Sequence, residues 1–241
     1  MSTPPSRDAL VANVRLVRER LERAATAAGR DPDEIRLIAV SKTFPLDAVE
    51  AGASAGLTDF GENRVQEGLG KIERASGLRV RWHLIGHLQS NKARSAAVAF
   101  DWIHSVDSAR LLRRLDQAAA EAATAPNLLI QADLAGEAAK HGAPAEEVRP
   151  LLEAARTCRA ARVRGLMLMP PWSDDPEAVR PWFRRLRQLR DTLLDEGFDP
   201  AALGELSMGM TRDFEIAIGE GATMVRVGTA IFGRRTPPAA G

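Results

Sequence analysis

Eight short apolar runs separated by helix-like stretches constrain this chain more than any other feature. The runs cover residues 35–40, 59–61, 81–85, 102–105, 128–132, 163–168, 205–207 and 224–227. Their length and apolar content suit buried parallel strands. Helical patterns fall between them at 45–55, 64–75, 91–98, 108–124, 145–158, 177–196 and 212–219, with a short one from about 229. Leu10, Val14, Val17 and Leu21 add a long amphipathic helix over residues 8–29, ending near Gly29. Eight β–α units are the pattern of a closed (β/α)8 TIM barrel, here with an extra N-terminal helix. A doubly wound open sheet is the structural rival, because strand count alone does not establish closure. No linker rich in Pro, Gly or Ser divides the 241 residues, so one domain is expected, with residues 1–7 and 236–241 as disordered tails.

Composition narrows the partners. Lys plus Arg total 33 against 32 for Asp plus Glu, a balance that gives no reason to expect nucleic acid or an anionic membrane. The opening residues lack the apolar segment of a secretory signal, and no apolar window is long enough to span a bilayer. The expected address is the cytoplasm, and a monomer is expected. Cys158, the single cysteine, lies among alanines and is expected to pack as a small apolar residue.

In a TIM barrel the loops that follow the strands build the site. The unusual residues fall there: Ser41-Lys42, Glu62-Asn63, Gly86-His87, Ser105, Met169-Pro170-Pro171, Ser207-Met-Gly-Met210 and Gly228-Thr229. Lys42 ends the first apolar run, and a Thr-Phe-Pro turn follows it. Desolvation at such a strand end disfavours the ammonium, the condition that Schiff-base chemistry requires.

Gly228 and Thr229 join the eighth strand directly to a helix start, where a close backbone, free N–H groups and a hydroxyl form an anion cradle. After the seventh strand, Ser207, Met208 and Gly209 can add a hydroxyl and further N–H groups, with Thr211 expected as N-cap of the next helix. Loops in these two positions frequently bind phosphate in barrels. Arg226 alternates with Val225 and Val227, so it is expected to point into the barrel, toward a structural acceptor or toward a ligand's ring nitrogen or phosphate.

Other polar residues invite plainer readings. His83 and His87 cross a strand and a glycine, have no acidic or cysteine partners at metal-binding spacing, and are expected in hydrogen bonds near the pocket rim; no metal is expected. Glu62 reads as a strand-end contact and Glu67 as a solvated helix charge. The arginine-rich stretch from Arg180 to Arg190 reads as a solvated face, with Trp182, Phe183, Leu186 and Leu189 packing inward.

Six stretches carry a resemblance to a known family: Leu37-Ile-Ala-Val-Ser-Lys-Thr43; Phe60-Gly-Glu-Asn63 with Val65-Gln-Glu-Gly68; Trp82-His-Leu-Ile-Gly-His-Leu-Gln-Ser-Asn-Lys92; Gly165-Leu-Met-Leu-Met-Pro170; Leu206-Ser-Met-Gly-Met210; and Met224-Val-Arg-Val-Gly-Thr-Ala-Ile-Phe-Gly233. Together, in order from about residue 8 to 235, they resemble the pyridoxal phosphate homeostasis protein family, whose barrel is like that of alanine racemase. The resemblance implies pyridoxal 5′-phosphate (PLP) held by Lys42 as an internal aldimine, with Ser207, Gly228 and Thr229 at the phosphate and Asn63 and Arg226 near the ring. Two departures stand in the loop after the fifth strand: Asp133, where members often carry Asn, and His141 in place of Ser beside Lys140.

On catalysis the inventory is restrictive. Racemases with this barrel oppose the lysine with a tyrosine from an added β-domain. This chain has no tyrosine, and too few residues follow the expected end of the barrel for such a domain. No catalytic residue is assigned beyond Lys42. The leading expectation is a protein of intracellular PLP homeostasis that buffers or delivers the cofactor, with apo-PLP enzymes as recipients and Lys140 as a candidate aid to transfer. The alternatives are a PLP-dependent racemase or lyase using the same lysine, with His83 or His87 as second base, and a phosphosugar enzyme whose lysine works without a cofactor.

Overall fold

The computed structural model describes residues 4–136 and 141–234. Nine strands and nine α-helices lie among them, alternating except where β6 follows β5 directly. The strands are β1 (Arg36–Val40), β2 (Asp59–Glu62), β3 (Arg81–Leu84), β4 (Trp102–Val106), β5 (Asn127–Asp133), β6 (Ala143–Pro144), β7 (Arg162–Met167), β8 (Glu205–Met210) and β9 (Met224–Val227). The helices are α1 (Arg7–Ala27), α2 (Leu46–Ser54), α3 (Val65–Arg74), α4 (Ala93–Ala99), α5 (Ala109–Ala122), α6 (Ala145–Ala155), α7 (Arg180–Asp195), α8 (Phe214–Gly219) and α9 (Thr229–Phe232). Every strand pair is parallel. The order runs β4-β3-β2-β1-β9-β8-β7-β5, and β4 pairs with β5 to close the ring. That closure of eight strands excludes the open doubly wound sheet. The two-residue β6 lies outside the ring beside β5, an addition with no apolar run to announce it.

Side-chain alternation divides the apolar residues in two. Ile38, Trp102, Leu129, Met167 and Met224 fill the lumen. A much larger cluster lies between strands and helices, with Val225 and Val227 among its members. Arg226, between those valines, is therefore a lumen residue and is only 3% exposed.

Helix α1 starts at the Ser6 cap, whose hydroxyl accepts from the Ala9 amide. It buries Leu10, Val14, Val17, Leu21 and Ala25 along one face, against α8 and α9. Asn13 donates to the Ile231 carbonyl at 2.9 Å, and Arg20 meets Glu215 at 2.6 Å. The extra helix thus braces the two short helices that follow β8 and β9.

Several local expectations shift. The stretch expected as a helix over 177–196 divides into a 3-10 turn, Pro176–Val179, and α7. Phe183 and Leu186 are fully buried, but the arginine face is not simply solvated: Arg180, Arg184 and Arg187 converge on Glu220, which is nearly buried. Helix α8 begins later than expected, and its N-cap is Asp213 rather than Thr211. Cys158 is half-buried against the outer core, and burial pushes its thiol up to about 11. Among the described residues no helix is long and apolar enough to cross a membrane.

Candidate functional site

Strand ends β2, β1, β9 and β8 are neighbours in the ring, so Asn63, Lys42, Gly228-Thr229 and the Ser207–Thr211 segment meet along one arc of the barrel mouth. Lys42 falls in step with Ile38 and Val40 on β1, and Ile38 lies in the lumen. It is half-buried. The turn after it is held on both sides. The Ser41 carbonyl accepts from Lys71 Nζ at 2.9 Å, and the Thr43 amide donates to Glu67. Thr43 adopts φ 71°, a left-handed conformation unusual for a β-branched residue, which these contacts sustain.

Lys71 is the centre of that clamp. Its amine also reaches Glu62 at 2.7 Å and Glu67 at 3.1 Å, and Ser41 Oγ donates to Glu62 at 2.6 Å. All three ammonium hydrogens have acceptors, so this buried lysine is structural. Burial raises the Glu62 carboxyl above its ordinary range, against the pull of Lys71. Glu67 is thus a clamp residue rather than a solvated charge, and the Glu67–Lys71 spacing of one helical turn was its sequence signal.

Asn63 is exposed at the rim, and its peptide presses on the β3 loop: a Cβ on Gly86 would lie 2.1 Å from the Asn63 oxygen. Only glycine permits that approach. At β8, Met208 points into the outer core, which leaves only its backbone for the mouth. Gly209 has φ 90°, and a Cβ there would stand 2.6 Å from the Ala217 Cβ. The Asp213 carboxylate takes the Met210 amide at 2.6 Å, while the Thr211 hydroxyl accepts from the Gly228 amide at 3.3 Å. Thr211 is therefore not a helix cap because it ties the β8 loop to the β9 loop. Gly228 is half-buried and Thr229 exposed, both at the start of α9.

Beneath the mouth runs a chain of buried polar groups. Arg226 donates from Nη1 to Ser207 Oγ at 2.6 Å and from Nη2 to the Leu168 carbonyl at 2.9 Å. Ser207 Oγ lies 2.9 Å from His104 Nδ1, and His104 Nε2 lies 2.9 Å from His83 Nδ1. His83 Nε2 lies 2.9 Å from Asp59 Oδ1, and Arg81 grips Asp59 through two hydrogen bonds. Ser207 is therefore a lumen residue tied to Arg226 and His104. His83 is fully enclosed rather than at the rim, and both its nitrogens are engaged, which removes it as a second base. Burial lowers the affinity of both imidazoles for a proton. Burial alone would raise Asp59, but hydrogen bonds from His83 and Arg81 outweigh it and hold the carboxyl well below its usual range. Burial lowers Arg226 to about 10, which still leaves it charged at neutral pH. Asp59 and His104 carried no motif; the inward step of alternation on β2 and β4 is the signal that could have found them.

At the rim, His87 and His141 stack with ring centroids 3.5 Å apart, and Asp107 lies 3.6 Å from His87. Their donor atoms lie within 4.8 Å of one another. Rings stacked this closely (9° between planes) send their lone pairs side by side, so they do not converge on a shared ion. The Asp133 carboxylate accepts the Ala135 and Gly136 amides, both at 3.0 Å, and so shapes the loop after β5. Lys140 lies outside the described residues. A cavity of about 540 Å³ sits at the opposite end of the barrel, lined by Arg18, Arg36, Asp59, Arg81 and Glu205. In barrels the active site is built at the other end, from the loops after the strands.

Residues 6–236 match the model of the alanine racemase N-terminal domain. A pyridoxal phosphate homeostasis protein of Pseudomonas aeruginosa is 45% identical over 223 residues, which is 92% of this chain and 94% of that protein. The chain belongs to the pyridoxal phosphate homeostasis protein family. Within reach of this family among solved structures is PipY of Synechococcus elongatus with PLP bound, 39% identical at a TM-score of 0.77, covering 89% of this chain and all 100% of that one. The same protein without PLP is 40% identical at a TM-score of 0.79, covering 88% and 99%.

Proposed function

We propose that the chain holds pyridoxal 5′-phosphate through a Schiff base on Lys42 and serves PLP homeostasis in the cytoplasm. It would act as a monomer that buffers the cofactor and delivers it to apo-enzymes, without robust catalysis. The chief support is the arc of adjacent loops that brings an amine, a buried guanidinium and a hydroxyl-and-amide cradle together, in a family with a PLP-bound member at 39% identity.

The donor set fits the group. A guanidinium has five N–H donors, and Arg226 spends one on Ser207 and one on Leu168, leaving donors for a ring acceptor. The Thr211 hydroxyl hydrogen and the Thr229 hydroxyl and amide are suited to the phosphate, with Gly228 letting the backbone come close, and α1 braces the helix that follows them. Lys42 supplies the amine, oriented by the Lys71–Glu62–Glu67 clamp. Asn63, exposed at the rim, would lie near the ring.

When bound, PLP supplies an aldehyde for imine formation and a pyridine ring that is a strong electron sink only when its nitrogen is protonated. Arg226 is donor-only and cannot accept that proton, so it favours an unprotonated nitrogen. This choice of partner suits holding over turnover. The chain also has no tyrosine to oppose Lys42 across a substrate.

The test is to incubate the PLP-loaded protein with a panel of L- and D-amino acids and, separately, with an apo-PLP enzyme. Reactivation of the apo-enzyme without sustained product from the amino acids is expected. Sustained racemisation or elimination would overturn the reading in favour of a racemase or lyase.

A further inference from the structure

The lumen chain has a direction that hydrogen-bond chemistry fixes from both ends. Arg226 can only donate, so Ser207 Oγ accepts from it. The ionised Asp59 can only accept, so His83 carries its proton on Nε2. A neutral His83 then offers a lone pair at Nδ1, which requires a proton on His104 Nε2. His104 Nδ1 is left as an acceptor, and the Ser207 hydrogen must point at it. The two derivations meet at Ser207 without conflict. Each donor in the sequence Arg226, Ser207, His104, His83 points toward Asp59.

We propose that His83 and His104 form a one-way hydrogen-bond relay that makes them positioning residues for Arg226, fixing it as the donor to the cofactor's ring nitrogen. The inference rests on the PLP reading above for its ligand, but not for its geometry.

The surroundings make the arrangement costly to reverse. His83, His104 and Ser207 are fully buried, and Asp59 and Arg226 nearly so. His83 stacks on Trp102 with 5° between planes, and Ile38, Leu129, Met167 and Met224 complete an apolar sheath. In such a medium an unmatched donor or acceptor is expensive, and hydrogen bonds linked in series strengthen one another. Spending the Ser207 hydrogen on His104 presents its lone pair to Arg226. With Leu168 on the other amino group, the guanidinium is held at two points. The anionic end is itself neutralised by Arg81 through a two-point contact at 2.7 and 2.8 Å.

The relay is read first in the cofactor-free protein, with 15N-labelled histidine and long-range 1H–15N correlation. His83 and His104 should both be neutral with the proton on Nε2 from about pH 5.5 to 8.5, a range in which free imidazole titrates. An Nδ1-protonated tautomer or an imidazolium at either position overturns the relay. The positioning role is read with PLP labelled with 15N at the ring. The parent should show an unprotonated ring nitrogen. Ser207→Ala and His104→Phe, each folded by circular dichroism, should shift that signal toward a titrating nitrogen and weaken PLP binding by about tenfold, the scale of one unmatched buried hydrogen bond. Ser207→Thr, which keeps the hydroxyl, should restore both. An unchanged ring signal and affinity in the folded variants would overturn the role. A parent protein that takes up no PLP would sink the functional reading alone, because the imidazole tautomers still decide the relay.

Discussion

Asp59 shows how one side chain ties stability to pH. Its carboxyl is more acidic in the fold than in the unfolded chain, because His83 and Arg81 stabilise the anion. The carboxylate therefore contributes fully above the ordinary aspartate value of about 4, and the contribution fades as pH falls below it. Asp59→Asn should cost most near neutral pH, and its gap to the parent in urea unfolding should narrow from about pH 4 downward. A gap that widens on acidification would contradict this. Glycines offer a paired test. Gly209→Ala forces a Cβ onto a backbone at φ 90° and within 2.6 Å of Ala217, and should cost about 2–4 kcal/mol. Gly70, inside α3 with nothing within 4 Å of a new Cβ, should gain about 1 kcal/mol as alanine. Lys71→Met would strand the fully buried Glu62 and should cost about 3–5 kcal/mol in urea unfolding.

At the scale of elements, α1 does more than lengthen the chain. Leu10→Ala, at a fully buried position, should cost about 2–5 kcal/mol. Asn13→Ala should cost only about 1 kcal/mol, yet it frees the Ile231 carbonyl of α9 and should weaken the hold on PLP phosphate more than distant changes of equal cost. Equal loss from a remote substitution of matched stability would argue against bracing. The strands and helices were legible because burial on both faces writes apolar runs and helical burial writes a stripe. What escaped was written in single residues. β6 has two residues and no pattern, and Thr211 was misassigned because a threonine beside a helix start serves equally well as a cap or as a tie between loops. Lys42, Arg226 and the Gly228 turn were legible from position alone. The Lys71 clamp and the Asp59–His83–His104 chain were not, because each joins side chains of successive β–α units whose partners are set by strand register and not by a local motif, and the step from His104 to Ser207 crosses the lumen.

For the molecule as a whole, the barrel assigns separate tasks to its parts. On the proposed reading the mouth gathers an amine and an anion cradle and the lumen sets the direction of Arg226, while the far end anchors Asp59 with Arg81. The chain has four lysines, and the proposed Schiff base uses Lys42 alone. Borohydride reduction of the PLP-loaded protein, followed by peptide mass analysis, tests that most directly. A phosphopyridoxyl mass increment is expected on the peptide carrying Lys42 and on no other, with its loss in Lys42→Ala. The same increment on Lys71, Lys92 or Lys140 in the parent, or undiminished labelling of Lys42→Ala, would contradict it.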